Sequence, residues 1–353
     1  MDILTQGVVG AIVSQSAAGK KELRSATIIG FCAGTLADVD GLIKSSQDPL
    51  YTLEFHRHFT HALIFIPVGG LIAATLLWFL FRNKLSFKKI LLYATLGYAT
   101  CGILDGFTTY GTHLFWPFTD ERVAMRIIAI VDPLFTLTLI AAVLSAVRYS
   151  SNKIAMAGIA FAALYLSFGM MQRDRAEDTI LKIAENRGHS LQRYEAKPTM
   201  GNLVLWRSIY ETAGIFYIDA IRVGLFSDPV VYAGTHVKKF ELEKDLPGLN
   251  RDDVLYNDIK RFTYFSDGYV AFHPQRPFVL GDIRYSLLPD DVRPIWGIEF
   301  NPHEEDKHVS FNTYRELDAD TLDIFKAMLL GRVINKSESS DRLSHPSGGD
   351  AQQ

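Results

Sequence analysis

The stretch HRHFTHALIFIPVGGLIAATLLWFLF, from His56 to Phe81, decides the architecture. Ala62–Phe81 is apolar and free of charge over about the 20 residues a helix needs to cross a bilayer. The segment before it crowds three histidines and an arginine against the start of that span. Two further stretches have the same character: Ile154–Met171, and Ile127–Val147 with Asp132 as its one charge. Ile90–Leu104 is shorter and contains Gly97 and Gly102, residues that allow close helix contact. Ahead of these, Ile3–Ser16 and Ala26–Ala37 read as a hairpin of short helices joined at Gly19–Arg24. The N-terminus lacks a basic n-region, so this segment is expected to be retained.

The whole chain averages out this division. Of 353 residues, 48% are apolar and 21% charged, with a net charge of −3 and a mean hydropathy of +0.10. That balance excludes a disordered chain and a basic nucleic-acid binder. The two cysteines, Cys32 and Cys101, both lie in apolar runs and by spacing alone suggest no thiolate site. Expected is an α-helical polytopic membrane domain of about six helices over residues 1–172, some of them short. A small soluble α+β or mainly β domain follows over 173–336, then a disordered tail over 337–353. Within the soluble part, Gly201–Tyr210, Gly214–Val223, Gly268–Phe272, Phe278–Leu287 and Pro294–Phe300 read as strands. Thr321–Leu330 reads as a helix capped by Asp320 and stopped at Gly331.

Lysine and arginine set the expected orientation. Lys20, Lys21 and Arg24, then Arg82, Lys84, Lys88 and Lys89, then Arg148 and Lys153, fall in alternate loops assigned to the cytoplasm. The loops Asp38–Thr60 and Asp105–Arg126 then share the outer face with the C-terminal domain. Under that topology the exceptional polar residues fall at outer helix ends: Asp38 and Asp40, His56 to His61, Asp105 and Asp132. Ionisable groups at membrane depth are costly unless paired or ligated, which makes them functional candidates.

Imidazole with carboxylate suits zinc, with manganese or iron as alternatives. His56 and His61 would sit about 140° apart on one continuous helix, so His56 is assigned to the loop and His61 to the first turn, with Thr60 as N-cap. Asp38 and Asp40 would both point inward from an extended stretch. The expected ligands are His56, His61, Asp40, Asp105 and Asp132, with Asp38 as general base. Arg57 and Arg122 would hold an anionic group through bidentate hydrogen bonds, and Gln6, Thr60 and Thr108 would support the ligands. Trp116 and Tyr110 suit an interfacial aromatic belt. His58 and His113 read as packing residues, and His303–His308 as a solvated charge run without the HExxH spacing.

In order along the chain, MDILTQ followed by Gly10-Ala11, Asp38-Val39-Asp40, His56-Arg57-x-x-Thr60-His61 and Leu104-Asp105-x-x-Thr108-x-Tyr110-Gly111-Thr112 form a distinctive series. With Leu114-Phe115-Trp116-Pro117-Phe118, Arg122 and Ile130-Val131-Asp132-Pro133, the series resembles the YdjM-like inner-membrane-associated metal-dependent hydrolases. The blocks Asn202–Arg207 and Leu280–Tyr285 are similar to those of longer members. Two positions depart from the pattern: Gln6 stands where many members have histidine, and Ala62 follows His61 where a serine is common. The resemblance implies a multi-pass protein of the bacterial inner membrane with a metal-dependent hydrolytic site.

The expected function is hydrolysis of a phosphoester or other ester of a lipid or envelope component by a metal-activated water, with the soluble domain in the periplasm. The rival is a non-catalytic membrane protein whose histidine–acid cluster is a structural metal or ion-pair staple beside a partner-binding periplasmic domain. The Asp40-Gly41-Leu42-Ile43 continuation does not fit the alcohol phosphatidyltransferase pattern, and no Pro-Ser-Gly-His lipid phosphatase block occurs.

Overall fold

A computed structural model describes residues 1–315 and 319–333. The N-terminal half is helical. Helices α1 (Ile3–Ser16) and α2 (Leu23–Leu36) form the expected hairpin, and a 3₁₀ turn (Ala37–Leu42) continues α2. A short α3 (Tyr51–Phe55) and two 3₁₀ turns (Phe59–His61, Leu63–Phe65) lead into α4 (Ile66–Phe81) and α5 (Phe87–Gly106). After a long loop come α6 (Pro133–Arg148) and α7 (Asn152–Asn186).

Glycine allows the first helices to approach closely. A methyl group on Gly30 would meet the carbonyl oxygen of Gly10 at 2.4 Å, and one on Gly97 would meet that of Gly30 at 2.5 Å. α1, α2 and α5 therefore touch backbone to backbone. The outward faces are apolar: Leu76, Phe79 and Leu80 on α4, Leu137 and Leu144 on α6, and Leu164 on α7 are all exposed. Two helical segments, Leu63–Phe81 and the apolar part of Asn152–Asn186, are long and apolar enough to cross a bilayer; α1 and α6 are shorter apolar helices.

Two sequence expectations change here. The run Ile127–Val147 is not one helix, because Pro133 has no N–H to extend a helix N-terminally. Asp132 is instead the N-cap of α6, accepting from the Phe135 amide at 3.1 Å. Second, α7 passes through the expected 172/173 boundary and runs 35 residues. Its distal turns leave the apolar layer and become the support of the C-terminal domain.

That domain contains, among the described residues, two four-stranded antiparallel sheets. The first runs β1 (Arg193–Pro198), β2 (Leu205–Thr212), β3 (Ile215–Arg222), β4 (Val230–Lys238). Helices α8 (Leu242–Asp245) and α9 (Val254–Phe265) connect it to β5 (Val270–Phe272), β6 (Val279–Asp282), β7 (Trp296–Glu299) and β8 (Ser310–Thr313). α10 (Ala319–Leu330) follows, with Asp320 inside its first turn and Gly331 at φ +77° after its end, where a side chain would be strained. The expectation for 337–353 lies outside the described residues.

Packing explains the order. Ala176, Ile180 and Ile183 of α7 bury against Trp206, Tyr210 and Ile221 on one face of the first sheet, while Met328 of α10 covers Leu205 and Tyr232. Ile209, Phe216 and Ile218 meet Tyr269, Ala271 and Ile283 between the two sheets. Leu50, from the loop before α3, is fully buried among Phe240, Leu255, Phe262 and Leu280 of the C-terminal domain. The domain therefore docks onto the end of the helical half that carries loops 38–60 and 105–126.

Candidate metal centre

At that same end, four helix termini converge. α1 presents Gln6, the turn after α2 presents Asp38 and Asp40, the turn before α4 presents His61, and the last turns of α5 present Cys101 and Asp105. Gly102 makes this approach possible: a methyl group there would lie 2.0 Å from the His61 carbonyl oxygen.

His61 organises the cluster. Its Nδ1 faces Asp40 Oδ2 at 3.2 Å and Thr60 Oγ1 at 3.0 Å. Its Nε2 is buried without a hydrogen-bond partner, 3.2 Å from Asp105 Oδ2 and 3.4 Å from Asp38 Oδ1. With Cys101 Sγ, these residues form a set whose donor atoms all lie within 4.8 Å of one another. The side chains of His61 and Asp105 are wholly buried, and Asp38 is 9% exposed. A buried imidazole nitrogen without a hydrogen bond, facing two carboxylates and a thiol, has the donor chemistry of a site for a divalent metal. In the protein without an ion, burial disfavours the His61 imidazolium, but Cys101 and the three neighbouring carboxylates outweigh it and raise the pKa.

Asp40 is the orienter of this set. It accepts from the Arg57 amide at 3.0 Å and from Thr60 Oγ1 at 2.5 Å, and pairs with His56 Nδ1 at 2.8 Å. Burial would raise its pKa, yet the hydrogen bonds from His56, His61 and Thr60 prevail and hold it well below the carboxylate range. A carboxylate on the far nitrogen of a ligating histidine fixes its tautomer and orientation. Asp38 and Asp40 thus reach His61 from opposite sides of its ring. They do so from a 3₁₀ turn, not from the extended stretch the sequence suggested.

The expected roles redistribute accordingly. Asp38, read as a base, stands among the four residues that could hold an ion, whereas Asp40 and His56, read as ligands, form a pair behind them. Thr60 lies inside its 3₁₀ turn rather than capping it, with its hydroxyl on Asp40. Gln6 donates to Asp105 Oδ2 at 3.1 Å and to Asp38 Oδ1 at 3.5 Å, and its carbonyl oxygen receives the Cys101 thiol. Thr108 bonds the Asp105 carbonyl at 2.8 Å and accepts from Arg57 at 3.3 Å. Asp105 also pairs with the Met1 amino group.

Two residues are not brought to the cluster. Asp132 spends one oxygen on its cap and the other on Tyr165 Oη at 2.8 Å. Arg122 donates to the Phe265 carbonyl at 2.9 Å and pairs with Asp267, joining the 105–126 loop to the C-terminal domain. Cys101 is the residue the sequence reading missed. Its separation of four from Asp105 places both on one helix face, and that signal was present.

Arg57 links the cluster to open space. Its φ is +62°, a left-handed conformation rare outside glycine. Its guanidinium lies 3.4 Å from Asp105 Oδ1, while its Nε is buried with no hydrogen-bond partner. Tyr110, expected in an aromatic belt, instead has the guanidinium groups of Arg57 and Arg122 over its ring, 5.6 and 5.3 Å from its centre. Beyond Arg57 lies a cavity of about 500 Å³ between the two halves, with His56, Arg57 and Tyr110 on one side and Phe262, Trp296 and Phe311 on the other.

A second cluster, Asp48, Asp258 and His308, also spans the halves. Arg261 pairs with Asp48 at 2.9 Å, Glu54 at 2.8 Å and Asp258 at 3.3 Å, so this group already holds its cation. His308, read as part of a solvated run, bonds Asp258 at 2.8 Å.

Apolar outward helix faces with a buried histidine–carboxylate–thiol cluster at one end define a membrane-associated protein with a potential metal site. Residues 1–176 match the YdjM inner membrane protein family, and through that half the chain belongs to it. The Bacillus subtilis (strain 168) protein described as "Uncharacterized protein YfhP" is 27% identical over 203 residues. That match covers 56% of this chain and 60% of the relative. No solved structure matches the chain.

Proposed function

We propose that this protein is a multi-pass inner-membrane hydrolase that depends on a divalent metal, most simply zinc, held by His61, Cys101 and Asp105, with Asp38 beside it and a position left for water. The observation that carries the reading is the buried His61 Nε2, which has no hydrogen-bond partner and faces two carboxylates beside a thiol. In such a site the ion acts as a Lewis acid that activates water and polarises the scissile bond. Asp40 holds the His61 ring through Nδ1, and Gln6 steadies both Asp105 and Asp38. Asp38, the more open of the two carboxylates that face His61 Nε2, is placed to take a proton from that water. Arg57 is fixed at the rim by Thr108 and Asp105 and offers positive charge to an anion forming in the cavity.

The substrate in this reading is a phosphoester or other ester of a lipid or envelope component. The site lies where apolar helices end, which is headgroup depth if α4 and α7 cross the bilayer. Basic residues at the opposite helix ends, among them Lys20, Lys21, Arg82 and Lys84, favour a cytoplasmic position for those loops. The cluster and the docked C-terminal domain then face the periplasm.

The test is hydrolysis by purified full-length protein, stripped of metal and then reloaded, against a panel of phosphate and carboxylate esters. Activity should appear only after reloading and should fall by about 100-fold or more in His61→Ala. A second reading rests on the pairing of Asp105 with both Arg57 and the Met1 amino group, which gives the cluster cations of its own. It is then an ion-pair staple at a helix junction. Folded protein with no hydrolysis of any ester, reloaded or not, would favour it.

A further inference from the structure

Resting on the hydrolase reading, we infer that the cavity between the two halves is a binding chamber for an amphiphilic phosphate, with its anion at Arg57 and its apolar part against the C-terminal domain. Three observations carry this. The cavity, about 500 Å³, falls in the range of small-molecule sites. Its far wall is aromatic, formed by Phe262, Trp296 and Phe311, a surface suited to an apolar guest. Its near wall holds Arg57, nine-tenths buried with Nε unpartnered. A guanidinium in that state is a binding group for an oxyanion.

The charges around the chamber agree with an anion. Asp282, the acid in its lining, is neutralised by Arg284, whose Nε lies 2.9 Å from it. Arg315 adds a second cation to the lining. Arg57 contacts Asp105 on one side and the chamber on the other, so a phosphate bonded to it lies beside the metal cluster with its apolar group pointing away. The C-terminal domain thereby acquires a role that the helical half alone cannot fill, that of reading the apolar portion of the substrate.

The experiment uses full-length protein in zwitterionic nanodiscs, with methylphosphonate and octylphosphonate as non-hydrolysable probes and calorimetry as the readout. Octylphosphonate should bind at least about 100-fold more tightly than methylphosphonate, given the gain per buried methylene. Phe311→Ala, at the half-exposed edge of the wall, should weaken octylphosphonate by about 10-fold and methylphosphonate far less. Trp296→Ala should act in the same direction. Competition by phosphatidate added to the nanodisc would assign the chamber to a membrane lipid, and its absence to a soluble amphiphile. Equal binding of the two phosphonates, with metal content and hydrolysis of short phosphoesters intact, would overturn the chamber and spare the hydrolase. Tight octylphosphonate binding by a protein that takes up no metal would do the reverse.

Discussion

At the scale of single residues, the cluster is decided by which groups each polar atom faces. Asp132 was as plausible a ligand as Asp105 in the sequence, since both are lone acids at helix ends. The structure separates them by neighbours: Asp132 bonds only its own helix cap and Tyr165, whereas Asp105, besides its bonds to Gln6 and Met1, faces His61 Nε2 in a group with Asp38 and Cys101. Cys101 carries no metal signal by its spacing from Cys32, because a cysteine in an apolar run is ordinarily packing. Only its position one turn before Asp105 marked it. His113 illustrates the opposite case, a histidine kept neutral. Burial, then His58 and Arg122, lower its pKa to about 4, and its ring lies against that of His58, tilted, with centroids 4.7 Å apart. The unfolded chain takes up this proton below about 6.5, while the folded one resists it until about 4. Stability is therefore full above about 6.5, falls as the pH drops, and stops falling near 4. His113→Phe should raise the melting temperature relative to the parent at pH 5 and leave the difference unchanged between pH 7.5 and 8.5; equal shifts throughout would contradict this origin.

Helices were the most legible elements, because a charge-free run announces itself. The α1–α2 hairpin and α5 fall within a few residues of where the sequence put them. Errors arose where a run of apolar residues was not one element: Ile127–Val131 belongs to the loop, since proline opens α6. Likewise the charges after Arg173 concealed that α7 continues, for a helix can leave the bilayer without ending. The meeting of the His61 turn with α5 was not readable at all, since it depends on two distant backbones touching at Gly102. That contact is testable. Gly102→Ala puts a methyl group 2.0 Å from the His61 carbonyl. It should cost about 2 kcal/mol through displacement of the turn, and it should lower metal affinity without touching any ligand. Unchanged metal binding in Gly102→Ala would show that this packing does not position the histidine.

For the whole molecule, the two halves are joined by Leu50 in the C-terminal core, by Arg122 with Asp267, and by Arg261 with Asp48 and Glu54. Composition foretold two halves but not their docking, which creates the cavity beside Arg57. Reporter fusions should find the connection after Arg82 in the cytoplasm and the C-terminal domain, joined after Asn186, in the periplasm. A cytoplasmic result at Asn186 would place the cluster on the inner face and exclude envelope substrates. Whether the buried His61 nitrogen holds a metal decides between a hydrolytic centre and an ion-pair staple. Full-length protein purified under metal-replete conditions should contain one divalent ion per chain. Cobalt(II) reconstitution should give a thiolate charge-transfer band that Cys101→Ser removes, and His61→Ala should abolish metal retention while the protein stays folded. Folded wild-type protein that retains no metal would contradict the central claim.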